Sequence, residues 1–110
     1  MNKVEKLILK NLLLNEAYVR KTLPFLKLEY FSDFLEKSLF SVISKYFTQY
    51  KALPTKEALE IEVGQIDTIS DEQHQSIVGI IRDIDNEQSD PDWILDTTEK
   101  WCKERAIYLA

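Results

Sequence analysis

The side chains able to do chemistry in this chain are few and scattered. His74 is the sole histidine and Cys102 the sole cysteine, so a Cys–His nucleophile pair or a histidine-containing metal centre would have to be built from those two alone. Carboxylates gather at Asp83, Asp85, Glu87, Asp90 and Asp92. One of them could serve as a general acid only if apolar surroundings raised its pKa. No apolar pocket is expected beside so polar a stretch, and the cluster reads as a solvated acidic face. Gly64 and Gly79 each stand alone inside helical patterns, and no Gly-Lys-Ser/Thr step follows either. A phosphate-cradling loop needs that combination, because its backbone amides must close around the anion. The expectation is a segment with no catalytic, cofactor-binding or metal-ligating residue.

A different kind of candidate lies near the C-terminal end. Ile94, Thr98, Trp101, Arg105, Tyr108 and Leu109 fall on one face of a helix, which puts Arg105 in the middle of its apolar stripe. A guanidinium there needs a partner. Either it reaches solvent or a carboxylate of a neighbouring helix, or it serves a subunit or partner interface flanked by Trp101 and Tyr108, residue types enriched in interface cores. Trp93 lies off that face and is either packed on the connector or exposed.

The elements that must position these residues are helices. Two glycines and three prolines in 110 residues leave few turns. Val4, Leu7, Ile8, Leu12 and Leu13 lay an apolar stripe along residues 3 to 14, and Asn15 can cap a short second helix that Pro24 limits. Residues 24 to 31 form a bulky connector. Ser32 and Asp33 open the clearest helix, whose buried face is expected from Leu35, Leu39, Val42, Ile43, Tyr46 and Tyr50, widened by Phe40 and Phe47. Lys37, Ser41, Ser44, Lys45 and Thr48 make its polar back, and Leu53-Pro54 ends it.

Thr55 caps a helix over residues 56 to 66. Residues 59 to 63 alternate with period two and offer a short strand as the alternative, but no partner strand is evident. Ser70 and Gln73 have the spacing of a capping box ahead of Ile77, Ile80, Ile81 and Ile84. A polar linker, residues 85 to 90, leads to a last helix opened by Asp90 and Pro91. No cap, Gly or Pro punctuates its far end at Tyr108-Leu109-Ala110, so the helix is expected to be truncated there, inside a longer polypeptide. The fold class is all-α, a compact bundle of about six helices in one domain spanning residues 1 to 110.

Composition bounds the rest. Hydrophobic residues are 45% and charged residues 30%, an ordinary globular balance. A single thiol suits a reducing compartment, the cytoplasm, and the interrupted apolar run near the N-terminus gives neither a signal-peptide core nor a membrane span. Residues 1 to 55 carry nine Lys/Arg against five Asp/Glu, and residues 56 to 110 carry five against fourteen. Overall acidity opposes binding to duplex DNA through its phosphates, and the division of charge suits docking to protein or head-to-tail contact, unless the two signs simply cover separate solvated faces.

Taken together, Glu5 to Val19 with Phe31, Leu39 to Tyr50, the Leu53-Pro54-Thr55 turn and the stretch from Thr98 through Glu104-Arg105-Ala106 resemble the N-terminal domain of DnaB-type replicative helicases, above all those of T-even-type bacteriophages. Leu53-Pro54-Thr55 matches the family's small-Pro turn, and Glu104-Arg105-Ala106 its Glu-Arg-Ala step. These are packing and turn motifs. The resemblance implies a collar domain, followed in the parent by a helical hairpin, a linker and a RecA-like ATPase motor. It also implies other helicase subunits as partners in a dimer or hexamer collar, with primase and a helicase loader docking there, little direct DNA contact and no membrane. ATP and magnesium would belong to the motor, and the setting would be the host cytoplasm. The alternative is a stand-alone small helical adaptor, from a phage or a bacterium, that binds one protein partner.

Overall fold

The computed structural model describes residues 3–110. It consists of α1 (Lys3–Leu14), α2 (Glu16–Thr22), a 3-10 turn (Leu28–Tyr30), α3 (Phe34–Tyr50), α4 (Lys56–Gly64), α5 (Asp71–Asp83) and α6 (Pro91–Leu109), and no strand is present among the described residues. Residues 59 to 63 are therefore helical, as the Thr55 cap implies.

The helix starts are set locally. The amides of a first turn have no partner within the helix, and a short side-chain acceptor just before it supplies one. Asn15 accepts from the Tyr18 amide at 3.1 Å, Asp33 from Leu35 at 2.7 Å, Thr55 from Ala58 at 3.0 Å and Asp90 from Trp93 at 2.9 Å. Ser70 accepts from the Gln73 amide at 3.1 Å while the Gln73 side chain accepts from the Ser70 amide at 2.9 Å, closing the capping box. α3 stops at Lys51, whose φ of 57° is left-handed, with its amide donating to the Phe47 carbonyl at 2.7 Å.

α1 packs against α2, α3 and α6, while α4 and α5 pair with each other and lean on α3. Ile8, Leu12, Leu39, Ile43, Leu59, Ile77, Ile81 and Ile94 are fully buried at the meeting point. Phe31 in the connector is also fully buried, its ring 4.9 Å from Phe40 and 5.2 Å from Trp101 between centroids. The connector is thus a wedge between α3 and α6.

Two expected faces differ from those observed. On α3 the buried residues are Glu36, Leu39, Phe40, Ile43 and Phe47, whereas Leu35 and Val42 are only partly buried and Tyr50 is exposed. At about 100° per residue the buried arc is turned by about 60° from the expected one. The cause is lateral: Phe31 draws Phe40 inward, and the Arg20 guanidinium sits 5.3 Å from the Phe47 ring centre. On α6 the stripe is buried only through Ile94, Thr98 and Trp101, joined by Cys102; Arg105 is half-buried, and Tyr108 and Leu109 are exposed. The helix runs past the last element able to cover it.

Candidate functional site

Arg105 is held by backbone rather than by a carboxylate. Its Nε donates to the Tyr30 carbonyl at 2.6 Å, and its guanidinium lies 4.8 Å from the Tyr108 ring centre. Tyr30 is itself seated edge-on against Trp101, 6.0 Å between centroids at 85°. Trp101 is a core residue at 6% exposure, while Tyr108 stands 75% exposed beside Ile107. So of the three residues Trp101, Arg105 and Tyr108, the first anchors, the second ties α6 to the connector, and the third is presented to solvent. Phe25 and Ala106 border one shallow depression and extend the apolar surface there. Trp93 is 51% exposed, which settles its placement.

The other chemistry-bearing residues serve structure. His74 Nε2 lies 2.7 Å from the Ile66 carbonyl, and because that oxygen can only accept, Nε2 carries the proton and staples the loop between α4 and α5. Cys102 is buried in the α6 core, and burial pushes its thiol up to about 11. Among the described residues no three His, Cys, Asp or Glu side chains gather as metal ligands.

In the acidic stretch, Asp90 caps α6, and Asp85 pairs with Lys10 at 2.6 Å and accepts from the Glu87 amide at 2.9 Å. The hydrogen bond from Lys10 is the main cause that holds the Asp85 carboxyl below its usual range. One expectation is corrected here: an open, chiefly apolar groove of about 450 Å³ does adjoin Asp83 and Asp85, between α1 and α5. Lys10 nevertheless keeps Asp85 ionised, the reverse of what a general acid requires.

Sequence reasoning missed a buried carboxylate pair. Glu5 on α1 is 1% exposed and accepts from the Ser32 amide at 2.9 Å, with the Ser32 hydroxyl 3.2 and 3.3 Å from its two oxygens. Glu36 on α3 is fully buried, and among the described residues neither of its oxygens has a hydrogen-bond partner. Burial first, then the neighbouring charges of Glu5 and Asp33, push Glu36 up to about 7, partly offset by Lys6. The only signal was positional, since Glu5 falls within the Ile8–Leu12 stripe and Glu36 beside Leu39 and Phe40. Neither is open to a substrate.

No protein-family model matches the chain. Among curated proteins it is similar to the DnaB-like replicative helicase of Enterobacteria phage T4, 25% identical over 105 residues, which is 96% of this chain and 22% of that protein. The chain thus spans about a fifth of the length of the curated relative it matches. The likeness is to a segment of a phage replicative helicase, and the fold is a small all-helical domain. Among the described residues, no helix is long and apolar enough to cross a membrane.

Proposed function

We propose that residues 1 to 110 form a non-catalytic assembly and docking domain of a phage replicative DNA helicase, at the N-terminal side of an ATP-dependent motor. Its work is contact: with other subunits in a dimer or hexamer collar, and with primase or a helicase loader. The observation that carries this reading is a similarity running through 96% of the chain while covering 22% of a replicative helicase. The helical fold supports it, because His74, Cys102, Asp85 and Asp90 are taken up by a loop hydrogen bond, core packing, an ion pair and a helix cap. The exposed end of α6, held at Arg105 and presenting Tyr108, supplies a surface suited to contact. ATP and magnesium act in the motor, and the acidic second half keeps direct DNA contact slight.

The reading frame beyond codon 110 tests the proposal. A continuing frame that encodes a Gly-Lys-Ser/Thr loop supports it, whereas a stop codon there favours the stand-alone adaptor. Calorimetric titration of the chain with the primase of the same replication system is expected to show binding, and titration with single-stranded DNA to show little. Tight, salt-sensitive DNA binding without primase binding would overturn the docking role.

A further inference from the structure

The groove between α1 and α5 has a distinctive make-up. Leu7, Ile80 and Ile84 are only partly buried at its floor, and Lys3 and Lys6 stand exposed along the α1 rim. Lys10 is occupied by Asp85, but neither Lys3 nor Lys6 forms a salt bridge among the described residues. On another helix, α4, Ile61 is 63% exposed in the middle of an acidic face. Glu57 lies one turn before it, and Glu60 and Glu62 flank it, Glu60 being paired with Arg82 at 2.9 Å so that, among the described residues, Glu57 and Glu62 carry the unpaired charge. Gly64 lies one turn after it, and a Cβ built there would meet nothing within 4 Å, so the face is bare enough for close approach. The molecule therefore carries an apolar recess with Lys3 and Lys6 on its α1 rim and Asp83 and the Lys10-paired Asp85 on the other, a net positive lining, and an apolar knob among glutamates.

We propose that the α4 face of one copy docks in the α1–α5 groove of a second copy, with Ile61 in the recess and Glu57 and Glu62 toward Lys3 and Lys6. The charge division along the chain, basic in the first half and acidic in the second, is what such a contact needs, because each copy offers the surface complementary to its neighbour. The recess of about 450 Å³ has room for the Ile61 side chain and its surroundings. The inference rests on the assembly reading above and names the surfaces through which copies meet.

Sedimentation equilibrium of the 110-residue chain at low and high salt tests this. The wild type is expected to self-associate, more weakly at high salt. Ile61→Asp, Glu57→Lys, Lys3→Glu and Lys6→Glu are each expected to weaken association by about tenfold, the scale of a lost interfacial charge pair or knob. Circular dichroism checks that each still folds, and Lys3→Glu keeps the test valid should Lys6→Glu perturb Glu36. Mixing Lys6→Glu with Glu57→Lys is expected to restore association, since the unaltered knob of the first fits the unaltered groove of the second and the two altered surfaces are again opposite in charge.

Association indifferent to all four variants, or not restored on mixing, overturns these surfaces while leaving the assembly reading in place. A chain that stays monomeric at every concentration overturns the inference. Primase binding then decides whether the docking half of the proposed function survives.

Discussion

Arg105 donates from Nε to the main-chain carbonyl of Tyr30 at 2.6 Å, joining the outer part of α6 to the connector. Tyr30 is buried, so its carbonyl has little access to water as a substitute. Replacing Arg105 by Leu keeps the apolar stem but orphans that carbonyl, at a cost of about 1–3 kcal/mol. Urea denaturation is expected to show a lower midpoint for Arg105→Leu with an unchanged slope, and the monomer still folds. An unaltered midpoint would mean that the bond contributes nothing net. A change in sedimentation of the same variant would add an interface role to the structural one.

Glu36 makes stability depend on pH in a specific direction. In the fold it keeps its proton up to about 7, whereas in the unfolded chain it releases it near the ordinary value of 4.5. The folded pKa is raised, so this contribution is fully present below about pH 4.5 and is lost as pH rises through about 7. The loss is on the order of 3 kcal/mol at most. Glu36→Gln removes the titration while keeping the shape. It should match the wild type near pH 5 and exceed it in stability near pH 8. Parallel pH profiles for the two proteins would show that Glu36 finds a partner for its charge.

Lys51 ends α3 in a left-handed conformation that a side chain disfavours by about 1–2 kcal/mol. Glycine adopts it freely but has more freedom to lose on folding, so Lys51→Gly should stabilise by about 0.5–1 kcal/mol. Thermal unfolding measures this, and an unchanged or lower midpoint would mean that the Lys51 side chain contributes more than its backbone costs.

Cys102 should be a poor nucleophile. Its thiol is pushed up to about 11 and lies 7% exposed in the core. Alkylation at mildly alkaline pH should be slow in native protein and fast in urea. Rapid native modification would show that α6 opens around Trp101 and Cys102 on the timescale of labelling.

The elements of this fold were legible in the chain because they are decided within three or four residues. Asn15, Thr55, Ser70 with Gln73, and Asp90 each meet an amide of their own first turn, so their identity and spacing suffice to locate the helix starts. The scarcity of Gly and Pro, and the threefold and fourfold apolar spacing, likewise made an all-helical domain readable.

What only tertiary structure decided is which side of each helix is dry. α3 has apolar residues around more than half its circumference, so its buried arc is chosen by Phe31 and Phe40 from outside the helix, and that choice seals in Glu36. α6 carries one long stripe, yet only the part through Cys102 has neighbours to cover it, leaving Tyr108 in water. Burial is a property of two surfaces meeting, and a periodic pattern supplies only one of them.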